Sequence, residues 1–367
     1  MNKTTTTMKI YRTIVKRAVL FALSLGILSF SFVSCEEENK GSDTPDVEGI
    51  YVVNEGIFDS GNGSITLLEP ETGATIHTYF KNQNGRSPGD VIQDLSFSKD
   101  KGFIVANNSK KLEIINKDKF TTRNVIPDIS YPRQFMAISD QEGYLTNGSS
   151  ADGTNGQVFV VNLSDCILTD TIEVGKGPES MARVNDQIYV TNSGGHNADN
   201  TVSVIDSEQH SVVETITVGD IPMDIEKDKN NNLWIFCKGL GSWQTGGPSN
   251  SSLVKINTQN QETTHFDLGG KVGSYGNYLL ALSPAKDSLY FTGTSGVFKM
   301  SIEANQVPSD PVIDKIPYGL DVNPENGNVY CLISNYQTKG YAFRYDKSHA
   351  LIDSIQVGYG PNAVIFE

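Results

Sequence analysis

Cysteine is scarce in this chain of 367 residues, with four in all, at Cys35, Cys166, Cys237 and Cys331. Their spacing fits no zinc motif, and the last three read as separate thiols. Histidine is hardly more frequent, with five copies. None belongs to an HExxH pair, and the sequence has neither a nucleophile elbow nor a phosphate-binding loop. The expectation is a protein that is not an enzyme and has no catalytic cofactor or resident metal. Basic residues are the third shortage. The first 34 residues carry Lys3, Lys9, Arg12, Lys16 and Arg17 and no acid, so of 29 basic residues 24 remain against 43 acidic ones, a net charge of −19. Such a body repels nucleic acid, whose binding rests on clustered Lys and Arg, and it avoids anionic membrane surfaces. Helical periodicity is lacking as well.

What the sequence has is a repeat. An apolar phrase of the YVTN type occurs seven times, as in IYVVNEG from Ile50, IYVTNSG from Ile188 and LWIFCKG from Leu233. The key aromatics are Tyr51, Phe103, Tyr144, Tyr189, Trp234, Tyr290 and Tyr330, separated by 52, 41, 45, 45, 56 and 40 residues. Around each copy lie further apolar runs bounded by Gly, Asn, Asp or Pro, which is strand and turn chemistry. The unit from Pro178 reads PESMARV, IYVTNSG, TVSVIDS, VVETITVG, four strands termed A to D. A period of 40 to 50 residues with four short strands predicts an all-β, seven-bladed β-propeller with four antiparallel strands per blade. The first unit begins at its B strand, and PNAVIFE, Pro361 to Glu367, reads as an unaccompanied A strand. The C-terminal strand is therefore expected to join the first blade and close the ring, which removes exposed sheet edges.

The amino terminus predicts an address. Five basic residues precede an apolar stretch from Ala18 to Val33, followed by Ser34 and Cys35, the layout of an export signal and too short for a spanning helix. FVSC resembles a bacterial lipoprotein signal box, with Phe32 where Leu is usual, which implies lipidation of Cys35. Cys35-Glu36-Glu37-Glu38 resembles the acidic tag that sends lipoproteins of Bacteroidetes to the outer face of the outer membrane. The organisation read from this is a signal peptide over 1–34, a lipidated cysteine and acidic flexible tether over 35–49, and the propeller over 50–367. A tether of this kind holds the body near an integral membrane protein.

Antiparallel strands put the D–A and B–C loops at one end of the ring, and those loops are rich in aromatics. The D–A set holds Tyr131, Tyr275, Tyr318 and Tyr359, with Arg86 and Arg133 beside them; the B–C set holds Phe58, Trp243 and Tyr336. The insert around Trp243 is longer than its counterparts, and loop length beyond topological need points to function. Each aromatic can bury ~150–250 Å². These residues are expected to contact a ligand, with Arg86, Arg133, Asn54 and Asn192 as hydrogen-bond partners. Asp59, Asp152 and Asp199, set among Asn and Gly, read first as turn formers, although calcium is a second reading. His196 stands alone in a B–C loop.

The phrase TVSVIDSEQHSVVETITVGDIP is similar to the YVTN or YncE-like propeller family. With the lipoprotein signal, the acidic tag and the acidic body, the chain resembles BtuG-type vitamin B12-binding surface lipoproteins of gut Bacteroidetes. That resemblance implies a cell-surface protein that binds cobalamin or other corrinoids as a transported ligand and delivers them to a TonB-dependent outer-membrane transporter. A glycan-binding surface lipoprotein and a calcium-dependent propeller hydrolase or lactonase are the alternatives.

Overall fold

A computed structural model describes residues 49–367, apart from 71, 149, 151–153 and 275. The expected signal segment, Cys35 and its acidic tag, Asp152 and Tyr275 lie outside the described residues. Seven antiparallel sheets form the body, and their makeup follows the repeat. In blade 4 the strands are Pro178–Val184, Gln187–Asn192, Thr201–Asp206 and Ser211–Thr217, paired in that order. Blade 1 takes its A strand from the far end of the chain. Pro361–Phe366 pairs with Ile50–Asn54, matching Val52 to Val364 and Tyr51 to Ile365.

Burial along the strands explains the period. All seven repeat aromatics are at most 3% exposed, because the B strand lies inside each sheet and sends its side chains between neighbouring blades. The core is accordingly divided into seven clusters, one at each junction between blades. Tyr189 of blade 4, for example, packs with Ile225, Leu233 and Ile235 of blade 5. The outermost D strands read differently: Ile167–Glu173 is exposed at every residue but Ile172.

Two departures from the repeat have local causes. Blade 6 has three strands, Leu280–Leu282, Ser288–Thr292 and Val297–Ser301. Its fourth place is met only by a bridge between Val297 and Ile313, since the segment there carries Pro308 and Pro311, which donate nothing to a ladder. The second departure is a short helix, Tyr79–Asn84, between blades 1 and 2. It seats Phe80 in the core and ends at Gly85, in the left-handed region at φ 70°. Six residues are too few for a helical period to show in the sequence. Cys166, Cys237 and Cys331 are free thiols.

The YVTN phrase also explains how blades are tied. The Thr hydroxyl links two A strands: Thr146 Oγ1 accepts from Gln134 N–H at 2.9 Å and donates to the Glu179 carbonyl at 2.8 Å. The Asn that ends the B strand clips the D–A loop. Asn54 Oδ1 accepts from Gly358 N–H at 2.8 Å, and Asn147 Oδ1 from Tyr131 N–H at 2.7 Å. A Cβ on Gly358 would stand 2.6 Å from Asn54 Cγ, which is why the D strand phrase ends in Gly.

Candidate functional site

Seven A strands surround the axis, and their first turns set a ring of side chains at the mouth. Asn362, Gln93, Arg133, Glu179, Met223, Tyr278 and Tyr318 occupy corresponding places beside the start of each A strand. The B–C loops add Glu55, directly after Asn54, and Lys238, directly after Cys237. At the bottom of this mouth a void no wider than a water molecule is lined by Gln93, Arg133, Gln134, Glu179, Ser180, Asn277 and Tyr278. Polar side chains from several blades thus meet around the axis.

Glu55 is the hub. It is 6% exposed. Its Oε2 accepts from the Tyr318 hydroxyl at 2.9 Å and the Tyr336 hydroxyl at 3.2 Å, and its Oε1 from Gln93 Nε2 at 3.1 Å. The two phenols also bond each other, their rings edge to face with centroids 5.3 Å apart. Burial raises the Glu55 carboxyl above its usual range, against the hydroxyls and Arg133, which favour its charge. Arg133 Nε donates to Glu179 Oε2 at 2.6 Å, with both side chains largely buried. Lys238 lies in the field of Glu179, Arg133, Glu55 and Lys271, and burial pulls its amine down to about 8.

Of the expected contact residues, Tyr318, Tyr336 and Arg133 meet in this floor. Phe58 and Trp243 lie on B–C loops at the same end of the ring, 67% and 74% exposed, and Tyr336 is 39% exposed. Tyr131 and Tyr359 are half-buried in their D–A loops. The other three are placed otherwise. Asn54 and Asn192 are fully buried, and their amides are spent on the chain: Asn54 Nδ2 on the Val52 and Ser64 carbonyls, Asn192 Nδ2 on Thr201 Oγ1 and Ser203 Oγ. They are clips within a blade, not ligand partners, because the last B-strand side chain turns into the sheet. Arg86 stands at the outer strands of blade 2, bonded to Glu113 and to Thr122 Oγ1 at 3.0 Å, with its guanidinium over the Phe80 ring. Asp59 Oδ1 accepts from Asn108 Nδ2 of the next blade at 2.9 Å, and Asp199 accepts from Lys176 N–H at 2.9 Å and Asn200 N–H at 2.7 Å, so both carboxylates serve to tie loops. No cluster of three or more His, Cys, Asp or Glu able to hold a metal occurs among the described residues.

Glu55, Glu179 and Lys238 were not anticipated. A signal existed: among the seven copies, only blades 1 and 5 carry a charge immediately after the YVTN phrase.

A second acidic tier lies along the A strands. Asp94 Oδ2 accepts from Phe135 N–H at 3.0 Å, Asp224 Oδ2 from Leu279 and Leu280 N–H at 2.9 and 3.0 Å, and Asp321 Oδ2 from Val364 N–H at 2.7 Å. Burial pushes the Asp94 and Asp224 carboxyls up to about 7 and Glu226 up to about 8. A carboxyl raised on folding is bound to its proton more tightly in the native state, so stability is lost as pH climbs from about 4 towards 7 or 8. Glu113 and Asp353, held below their usual range by Arg86 with Lys111 and by Arg344 respectively, do not offset this until pH falls below about 4. The expected result is a higher melting temperature at pH 5 than at pH 7.5; calorimetric scans showing the reverse order would refute the raised values.

Residues 48–362 match the profile of a domain of unknown function, DUF5074. The chain belongs to the DUF5074 family. No curated protein matches it. Among solved structures, a quinonprotein alcohol dehydrogenase-like protein from Bacteroides thetaiotaomicron superposes with a TM-score of 0.64 at 12% identity, over 88% of this chain and 78% of that one. The hydrazine synthase of Kuenenia stuttgartiensis gives 0.56 at 14% identity, over 74% of this chain and 94% of that one. At such identities the likeness shows the fold, and a propeller fold hosts many unrelated functions.

Proposed function

We propose that this DUF5074 protein is a cell-surface binding protein, not an enzyme, that captures a corrinoid such as cobalamin on the D–A and B–C face and passes it to a TonB-dependent outer-membrane transporter. The observation that carries the reading is the set of exposed aromatics on the B–C loops, Phe58, Trp243 and Tyr336, at the end of the ring that holds the polar floor. Large aromatics left in water around a concave polar patch are the anatomy of a binding surface. The void among the axial side chains has room for about one water molecule, and a large ligand on this face lies across it. A corrinoid is a broad disc, partly apolar and fringed with amides, and matches aromatic walls with hydroxyl and amide partners below. The lipoprotein signal ending at Cys35 supports a surface position and a membrane protein as recipient.

Mixing the protein with cyanocobalamin and separating by size is expected to give a red protein peak. A colourless peak sinks the reading, and retention on an immobilised glycan would then favour the sugar-binding alternative. Replacing Phe58 and Trp243 together by Ala is expected to weaken corrinoid binding at least tenfold, about 1.4 kcal/mol, with an unchanged melting temperature because both side chains are exposed. Unaltered affinity in calorimetry would remove this rim from the site.

A further inference from the structure

Three loops of blades 1 and 2 bring two carboxylates onto one amide. Asp59 lies in the blade 1 B–C loop, between Ile50–Asn54 and Ser64–Leu68. Asn108 lies in the blade 2 B–C loop, between Lys101–Ala106 and Lys111–Asn116, and Asp90 stands two residues before the A strand of that blade, Ile92–Ser98. Asn108 Nδ2 donates to Asp59 Oδ1 at 2.9 Å and to Asp90 Oδ2 at 2.6 Å, and Asp90 Oδ2 also accepts from Asp59 N–H at 2.8 Å. A single neutral donor thus stands between two acids. Neither acid forms an ion pair with Lys, Arg or His among the described residues. Asp90 is 6% exposed, and its second oxygen, Oδ1, is buried without a hydrogen-bond partner. A buried carboxylate oxygen left so is unfavourable, and an ion or an ordered water is what relieves it.

The neighbouring groups suit an ion. Asp59 is exposed and Asn108 half-buried, so a hydrated cation has an entry path while Asp90 forms the base of the site. Turning the Asn108 amide about its last bond replaces Nδ2 by Oδ1 and gives a third oxygen facing the same two acids. Hard oxygen donors carried on three separate loops fit the flexible coordination of calcium better than the strict octahedron of magnesium. We propose that Asp59, Asp90 and Asn108 form a calcium site that completes its coordination with water and fastens the blade 1 B–C loop to blade 2. Phe58 immediately precedes Asp59, so the ion fixes the loop that carries an exposed aromatic. The site itself is independent of the corrinoid reading; its effect on ligand affinity through Phe58 rests on that reading, by preorganisation of the loop.

The test is calorimetric titration of chelator-treated protein with calcium chloride. Saturable binding to one site is expected, with a Kd of about 0.1–1 mM, the range of extracellular modules, together with a melting temperature raised by calcium and at least tenfold weaker binding of magnesium. Asp59→Asn alters an exposed side chain and is expected to fold, to bind calcium at least tenfold more weakly and to lose the calcium-dependent rise in melting temperature. Asn108→Ala, from the third loop, gives the same comparison should Asp59→Asn not fold. Absence of saturable binding in wild type, or wild-type affinity in the folded variants, overturns the site. Cyanocobalamin titrations with and without calcium read the coupling separately. A corrinoid affinity raised by calcium in wild type and not in Asp59→Asn supports the link to Phe58. Equal affinities with and without calcium overturn that link and leave the calcium site standing, and a protein that binds calcium but no corrinoid refutes the corrinoid reading alone.

Discussion

Deleting Pro361–Glu367 is expected to leave no cooperatively folded protein at 25 °C. The segment is the A strand of blade 1, and it faces the axis where two neighbouring blades meet. Asn362 Nδ2 donates to the Ile92 and Gln93 carbonyls of blade 2 at 3.2 Å each, and Val364 N–H donates to Asp321 of blade 7. Ala363 and Val364 are buried, and Ile365 and Phe366 partly so. Losing these side chains and the ladder of blade 1 removes on the order of 5–10 kcal/mol, comparable with the whole stability of an ordinary domain. The ring also reopens, exposing the edge of the Ile50–Asn54 strand. Circular dichroism and thermal melting decide it. A truncated protein that melts sharply near the full-length temperature would show that closure is dispensable.

Arg133→Ala is expected to cost about 3–5 kcal/mol, because it leaves Glu179 buried without its partner. The pair is 15% and 11% exposed, so water screens it little, and Glu179 Oε1 also accepts from Ser193 Oγ at 3.0 Å. Adding Glu179→Gln to the same chain is expected to recover most of the loss, since a neutral amide needs no counter-charge. Urea unfolding of the two variants gives the comparison. A single variant within about 0.5 kcal/mol of wild type would mean that Glu179 reaches solvent or another cation. Corrinoid binding by the folded double variant reads the floor separately: if Arg133 serves only stability, affinity stays at the wild-type level.

Much of this architecture was legible in the sequence because the repeat is a record of burial. Tyr189, Val190 and Thr191 recur in one order since each copy meets the same surroundings: the ring between blades, the sheet interior, the A strand of the next blade. The orphan phrase PNAVIFE marked the closure by the same logic. The Asn of the phrase borders a loop and so resembles a ligand partner, but Asn54 turns inward to hold that loop and Asn192 turns inward to the C strand of its own blade. Arg86 departs from its expected place for a similar reason. Its loop leads to the mouth, yet a short helix carries it outward to Glu113.

The sequence by itself determined the number of blades, the strand that closes them and the end at which aromatic loops gather, since these follow from periodicity and from the alternating direction of antiparallel strands. Only the tertiary structure decided which polar residues share the axis. Glu55, Arg133, Glu179 and Lys238 come from four different blades, and no local pattern ties them together. They meet because a closed ring brings equivalent positions of distant repeats to one point, where burial makes each charge depend on the others.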